Sequence, residues 1–449
     1  MATQTMTGTI AAQLDERRIG ARQIWIVVLV QLILMIDGLD IQLLGLVTPV
    51  ILSEWQVERA AFGPALAASL FGLALGAGMG GRLGDMFGRK RVLTISAFLF
   101  GTATIVAAFA DTVTHMAIIR FISGLGFGAA APSSIALVTE WLPRRAQAKM
   151  VAFLSIGTPF GGMVGSLALQ VLLPTLGWRG CFILCGLLTL AVAVLALIAL
   201  PESAAYLIGR GERDRAAKLL RRVAGITGFS SPAPAAAIPA GPATPRESMF
   251  ARRYRRLTLG GWLLFFSAQF IAYSFVSWAP TFLTMAKFPM DQALQASFSF
   301  NLFAMMASIL TGLLIHRHGS LRVALGASLL TAVSLALLAV TLFGAVAPPD
   351  AAVYWTVMVG VAGVGIFAST AIAVGYALLA LGYSEQIRST GIGVGLMIGR
   401  SGGVLTALAG GVLLSLAGDQ SWPFFAVMLV LSVMILVGTL TIDRHIAAD

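Results

Sequence analysis

Long runs of apolar residues dominate the chain and are separated by short polar or basic segments. A helix crosses the hydrocarbon core of a bilayer in about 20 residues, whereas a transmembrane β-barrel shows alternating segments of about ten. The pattern therefore predicts an all-α membrane protein with twelve transmembrane helices, numbered here as spans 1 to 12. The twelve runs cover residues 24–50, 60–80, 92–110, 115–139, 148–171, 178–200, 257–282, 294–315, 322–343, 353–381, 388–414 and 422–441.

The spans fall into two groups of six, separated by a polar segment. Within that segment, residues 203–223 have helical spacing, and five prolines between 230 and 248 indicate a flexible or polyproline stretch. We expect a cytoplasmic N-terminal tail, a six-helix bundle, a cytoplasmic linker, a second six-helix bundle and a cytoplasmic C-terminal tail. Their predicted ranges are 1–23, 24–200, 201–256, 257–441 and 442–449.

The two halves repeat weakly. The segment Gly81–Val92 after span 2 and the segment Gly312–Val323 after span 8 share two glycines, an arginine and a valine at one offset of 231 residues. Parallel repeats of this kind place a substrate site near the middle of the membrane between the halves, where it is reached from each side in turn.

Composition narrows the class of protein further. With 58% hydrophobic and 11% charged residues, the chain is unlike a soluble enzyme, which carries about 25% charged residues. The net charge of +11 could suggest a nucleic-acid partner, but 25 of the 30 Lys and Arg fall on one side of the twelve spans. This positive-inside asymmetry predicts that both termini are cytoplasmic and that the basic segments contact anionic lipid rather than nucleic acid.

The sequence gives little indication of a bound metal or cofactor. Cys181 and Cys185 lie one helical turn apart in span 6, a position typical of small packing residues, and four scattered His show no metal-ligand spacing. We therefore expect no cofactor and no enzymatic activity.

Four segments resemble a known family. Gly81–Arg91 is similar to the signature loop of the major facilitator superfamily, G-x-x-x-D-x-x-G-R-K/R. Asp37-Gly38-Leu39-Asp40 resembles the D-G-x-D motif of its aromatic acid:proton symporters, while Arg120–Pro132 and Arg388–Arg400 resemble helices 4 and 11 of that family. The resemblance implies two pseudo-symmetric six-helix bundles. His316 departs from it, since it replaces the usual acid in the second copy of the loop.

Two carboxylates in span 1, Asp37 and Asp40, are candidates for proton coupling. At i and i+3 they share one helix face, and ionised groups within a membrane are expensive. Two close carboxylates of low solvation cannot both ionise cheaply, which suits a proton carrier. A structural ion pair or a hydrogen bond between helices is the alternative.

Two intramembrane arginines are candidates for an anionic substrate. A guanidinium can hold a carboxylate through two parallel hydrogen bonds. Arg120 in span 4 lies at a depth similar to that of the span 1 acids, so it could instead pair with Asp40. Arg400 in span 11 has no acid nearby in sequence, and packing against helix carbonyls is the alternative for it.

The other candidates line the expected substrate path. Phe266, Phe270 and Tyr273 recur at helical spacing in span 7 and could stack on an aromatic ring, although core or lipid packing explains their spacing equally well. Gln269 and Asn301 could bond ring hydroxyls.

A cytoplasmic gate of salt bridges, which would break when the gate opens, is predicted from Asp85, Arg89, Glu140, Glu202 and Arg388. A direct proton role for Glu140 is the alternative.

The intramembrane charges favour ion-coupled transport of an anionic solute. The family resemblance implies more: a monomeric symporter of a bacterial inner membrane that imports a small aromatic carboxylate with protons, driven by the proton gradient. One alternative is a proton-coupled drug or metabolite antiporter of the same fold, but Pro159 and Gly161-Gly162 are spaced unlike the antiporter motif of span 5. Another is a receptor that senses aromatic acids, for which residues 201–256 offer no output domain.

Overall fold

The computed structural model describes residues 13–226, 248–343, 349–416, 418 and 420–447, apart from five side chains. Those side chains belong to Ala148, Glu385, Gln386, Arg388 and Ser389. Throughout the described residues the secondary structure is helical, without strands, which confirms the all-α prediction. Most of the proline-rich stretch predicted at 230–248 lies outside the described residues.

Spans 1 to 4 are the helices Ala21–Trp55, Arg59–Phe87, Arg89–Ala107 and Val113–Trp141. A short helix, Arg144–Ser155, leads into Gly157–Ala199, which contains spans 5 and 6. Two more short helices, Ala204–Gly209 and Arg213–Ala224, follow in the linker. Spans 7 to 12 are Arg255–Met285, Met290–His318, Ser320–Phe343, Ala351–Gly382, Glu385–Ser415 and Trp422–Thr441.

The helix Gly157–Ala199 crosses the membrane twice. Its 43 residues would extend about 65 Å as one straight helix, roughly twice the thickness of the hydrocarbon core. Gly177 interrupts it with φ 64° and ψ 175°, a conformation that residues with a Cβ rarely adopt. Gly161, before the break, packs on Met35 of span 1, and Gly186, after it, packs on Ile105 of span 3. Within the described part of the chain, the eleven helices that are long and apolar enough to span a membrane thus supply twelve crossings.

The outer surface of the bundle is apolar, as a protein in lipid requires. Large apolar side chains such as Val171, Ile198, Val340 and Leu313 point outward and are more than half exposed. Exposed apolar area of this extent marks a surface that meets lipid rather than water.

The two bundles meet where span 1 packs on span 7, span 2 on span 11, and span 8 on the helix Gly157–Ala199. Their backbones approach closely where glycine leaves room. Gly45 of span 1 lies against the Val276 carbonyl of span 7, and Gly63 of span 2 lies against the Leu408 carbonyl of span 11. These contacts lie in the half of the molecule away from residues 201–226. We call the side of residues 201–226 the inner side, since it is the one predicted to be cytoplasmic.

Candidate functional site

Asp40 and Arg120 form a closed ion pair between spans 1 and 4, and both side chains are 0% exposed. Arg120 donates from Nη1 to Asp40 Oδ2 at 2.9 Å and from Nη2 to the Asp40 carbonyl at 2.8 Å. The Thr104 hydroxyl of span 3 donates to Asp40 Oδ1 at 2.6 Å. The pair therefore ties three spans together, although the buried Nε of Arg120 has no hydrogen-bond partner among the described residues.

Asp37 lies one turn before Asp40 but in different surroundings. It is 8% exposed, and its buried Oδ1 atom has no hydrogen-bond partner among the described residues. The negative charge of Asp40 and the positive charge of Arg400 both interact electrostatically with its carboxyl group. Between the two acids, Gly38 lies so close to the Thr158 carbonyl that a Cβ there would collide with it. This glycine lets the acid-bearing stretch of span 1 press against span 5.

Arg400 of span 11 is half-buried and, within the described part of the chain, has no hydrogen bond or ion pair. Its charge acts on Asp37 of span 1, Tyr273 of span 7 and Tyr376 of span 10. Span 11 comes this close to span 7 because Gly402 fits against the Phe266 carbonyl. A cationic group that forms no hydrogen bond or ion pair with any described residue thus lies where spans of both bundles converge.

Span 7 places its predicted aromatic residues next to this arginine. The rings of Phe266 and Phe270 lie 6.3 Å apart between centroids, and Tyr273 packs against Gly403. Gln269 is half-buried beside Gly399. A cavity of about 10 Å³ borders Tyr273 and Arg120, which is room for about one water molecule. In this conformation the cavity is too small for an aromatic acid.

Asn301 links the two bundles. Its amide exchanges two hydrogen bonds with Gln42, both at 2.8 Å, and it also donates to the Ser297 carbonyl at 2.8 Å. Both side chains are buried. In this conformation the amide predicted to bond a substrate hydroxyl is therefore engaged with span 1, in a contact that we call the amide clasp.

The predicted gate residues cluster at the inner ends of spans 2, 3, 4 and 6. Arg89 pairs with Glu140 and, at 3.4 Å, with Asp85. Glu140 also accepts a hydrogen bond from the Ser203 hydroxyl, while Glu202 accepts from the backbone N–H groups of Lys90 and Ser203 at 2.9 Å. These contacts hold the first bundle together at its inner end. The Arg388 side chain, the predicted member from span 11, lies outside the described residues.

Three partners of the site were not singled out from the sequence: Thr104, Gln42 and Tyr376. Gln42 and Thr104 are buried polar side chains in apolar spans, and such groups must find partners within the protein. That signal names the residues as important, but it does not say which span each would face. As for metals, the described residues contain no group of three His, Cys, Asp or Glu that could hold one.

Comparison with known proteins agrees with this architecture. The family model of the Major Facilitator Superfamily matches residues 30–348. A gallate transporter of Pseudomonas putida is 32% identical over 406 residues, covering 88% of this chain and 86% of the relative. The 4-hydroxybenzoate transporter PcaK of Acinetobacter baylyi is 28% identical over 442 residues, covering 97% and 93%. These relatives confirm the resemblance inferred from the sequence motifs.

Solved structures agree on the fold. A partially occluded inward-open structure of the xylose transporter XylE from E. coli superposes with a TM-score of 0.70 at 17% identity, over 94% of this chain and 98% of that one. At this identity the likeness concerns the fold alone, with its two six-helix bundles. The chain therefore belongs to the Major Facilitator Superfamily, and it is a multi-pass membrane transporter rather than an enzyme.

Proposed function

We propose that this protein imports a small aromatic carboxylate, such as a hydroxybenzoate, together with a proton across the bacterial inner membrane by alternating access. The observation that carries the proposal is the placement of Arg400 and Asp37 where the bundles meet. Within the described residues, Arg400 has no hydrogen bond or ion pair, and Asp37 Oδ1 has no hydrogen-bond partner. The names of the relatives, which include gallate and 4-hydroxybenzoate transporters, support the substrate class.

Arg400 is the better anchor for the substrate carboxylate. Arg120 already donates to the carboxylate and the carbonyl of Asp40, so a substrate would have to displace a sealed ion pair. Arg400 has no such bonds in the described part of the chain, and its guanidinium can offer two parallel hydrogen bonds to a carboxylate. Phe266, Phe270 and Tyr273 would lie along the ring, with Gln269 and Asn301 available to ring hydroxyls.

The same geometry links the substrate to a proton. Without substrate, the positive charge of Arg400 partly offsets the negative charge of an ionised Asp37, against the effects of burial and of Asp40. A substrate carboxylate on Arg400 takes over that compensation and leaves Asp37 as an uncompensated charge with few hydrogen bonds, which is costly within the membrane. Protonation of Asp37 removes the cost, so anion and proton bind together. By linkage, each strengthens the binding of the other.

Alternating access then requires the contacts at the two ends to form and break in turn. The amide clasp between Gln42 and Asn301 and the glycine contacts near it would open when the site faces outward. At the inner end, Arg89, Glu140, Glu202 and Asp85 would act together with Arg388 as the gate.

Purified protein tests the proposal in two steps. First, a thermal-shift screen compares benzoate, 4-hydroxybenzoate and gallate with aliphatic and sugar acids, and only the aromatic acids should stabilise the protein. Second, the Kd of the best ligand should rise up to about tenfold per pH unit above the range in which the coupling carboxyl titrates, because one proton binds with each anion. In Asp37→Asn this slope should vanish.

Transport in liposomes completes the test. Labelled ligand should accumulate only when the outside is more acidic than the inside. Accumulation without a pH gradient or voltage would refute proton coupling, while uptake of protons against exit of the ligand would identify an antiporter. Stabilisation by sugar acids alone would refute the substrate class.

A further inference from the structure

A groove of about 950 Å³ opens on the inner side of the first bundle. Its walls come from the cytoplasmic helix Arg213–Ala224, the beginning of span 1, the beginning of span 3 and the end of span 6. It lies away from Arg400 and Asp37 and contains none of the residues proposed to bind the aromatic acid. We call it the inner groove.

The inner groove carries an excess of positive charge. Two carboxylates line it, and both have partners: Glu202 accepts from backbone N–H groups, and Glu212 pairs with Arg215. Lys218 and Arg222, by contrast, form no hydrogen bond or ion pair through their side chains within the described part of the chain. A ligand that satisfies this rim must be anionic. The basic residues of the rim are Arg22, Lys90, Arg91, Arg215, Lys218 and Arg222.

The opposite wall of the groove is apolar and continues onto the lipid-facing surface. Trp25 of span 1 is 62% exposed, and Ile198 at the end of span 6 is 77% exposed. Leu195 and Leu197 lie beside them, also exposed. A soluble anion gains nothing from such a wall, whereas the acyl chains of a lipid can lie along it.

The cytoplasmic helix is held in place to present its basic face. Its Arg215, Lys218 and Arg222 recur at i, i+3 and i+7 on the groove side, while Ala216 and Leu220 are buried behind them. Arg22 at the beginning of span 1 donates to the Arg222 carbonyl, and Arg17 donates to the Gly225 carbonyl at 2.6 Å. The basic rim and the apolar wall are therefore parts of one fixed surface at the inner end of the spans.

We propose that the inner groove binds one anionic phospholipid, with its phosphate among Lys90, Lys218 and Arg222 and its acyl chains along Trp25 and Ile198. Charge complementarity identifies the headgroup, and the apolar wall selects a lipid over a free phosphate. Bound in this way, the lipid joins the linker helix to spans 1, 3 and 6. It should stabilise the folded protein by mass action, since an unfolded chain lacks the groove.

Delipidated protein in a neutral detergent provides the test, with lipid binding followed by native mass spectrometry and by thermal unfolding. Phosphatidylglycerol should bind with a stoichiometry of one high-affinity site and raise the melting temperature, whereas phosphatidylcholine should not. The double variant Lys218→Gln/Arg222→Gln should bind phosphatidylglycerol about 20- to 30-fold more weakly, as expected for two basic side chains near an anionic headgroup.

The matched control is Arg252→Gln/Arg255→Gln, which removes the same charge from exposed positions on the same side of the membrane. It should bind phosphatidylglycerol like the wild type. Equal weakening in both double variants would overturn the proposal in favour of a general surface attraction. Equal stabilisation by inorganic phosphate would overturn it in favour of a soluble anion. Because the readout is lipid binding, neither result depends on the proposed transport of aromatic acids.

Discussion

The two intramembrane arginines lie in different surroundings, which favour a structural role for Arg120 and a binding role for Arg400. Arg120 is fully enclosed and bonded to Asp40, which Thr104 supports from a third span. Arg400 is half-buried and, in the described part of the chain, has neither a hydrogen bond nor an ion pair, although its charge acts on Asp37 and two tyrosines. Of the two arginines, one is therefore held in a direct ion pair, and the other has no direct partner among the described residues.

The difference teaches where a ligand can bind. Removing one partner of a buried ion pair leaves an uncompensated charge, so the protein must keep such a pair intact. An arginine that forms no direct hydrogen bond or ion pair can accept a substrate carboxylate without first breaking internal bonds. On this argument, damage to the Asp40 pair should appear as lost stability, and damage to Arg400 should appear as lost binding.

The largest effect is expected from Asp40→Asn. The substitution leaves the Arg120 charge enclosed without its counter-ion, which should cost about 3–5 kcal/mol of stability. Thermal unfolding in detergent measures the loss. Asp40→Asn/Arg120→Gln, which removes both charges, should recover part of it. Wild-type unfolding of the single variant would contradict the view that this pair is structural.

Arg400→Lys should leave unfolding unchanged but weaken binding of an aromatic acid. The lysine keeps the charge but loses the two parallel hydrogen bonds of the guanidinium, worth about 10- to 100-fold in Kd for a charge-assisted bond. Calorimetric titration measures the change, and Arg322→Lys at an exposed inner position is the control. Wild-type affinity for every aromatic acid tested would remove Arg400 from the substrate site.

The amide clasp is intermediate between the two arginine sites, because its side chains are uncharged but are hydrogen-bonded to each other. Gln42→Leu alone removes both hydrogen bonds that the Asn301 amide exchanges with Gln42, which should destabilise the protein by about 1–3 kcal/mol. Gln42→Leu/Asn301→Leu removes both groups and should cost less than the sum of the single variants. A double-mutant cycle on the unfolding free energies measures the coupling between the bundles, and strict additivity would show that the clasp contributes none.

The sequence predicts the fold well because the signal is repeated in every span. Each crossing needs about 20 apolar residues, and the basic segments between crossings fall on one side. Even the two crossings of Gly157–Ala199, which form a single helix interrupted at Gly177, are separate in the apolar pattern. The hydrophobic pattern and the distribution of charge are local properties of the sequence, so they predict the spans without knowledge of how the helices pack.

The candidate site was predictable only in part. Charged residues such as Asp37, Asp40, Arg120 and Arg400 stand out in apolar spans, since each needs a partner or a ligand. Which arginine faces Asp40 depends on the rotation of spans that lie far apart in sequence, and so the sequence left that choice open. The pairing of Gln42 with Asn301 depends in the same way on how the bundles meet.

The smallest effect is expected from Thr104→Val, which tests how much the third span supports the Asp40 pair. The substitution keeps the shape but removes the hydroxyl that donates to Asp40 Oδ1, so one carboxylate oxygen loses its hydrogen bond at a cost of about 1–2 kcal/mol. Thr341→Val is the matched control, because within the described residues that hydroxyl bonds only the Leu337 carbonyl one turn earlier, in an exposed hydrogen bond, and its loss should change stability by less than about 0.5 kcal/mol. Since Thr104 does not touch Arg400, the Kd for an aromatic acid should stay at the wild-type value in both variants. A weaker Kd in Thr104→Val with unchanged unfolding would mean that the enclosed pair takes part in binding, and the distinction between the two arginines would then fail.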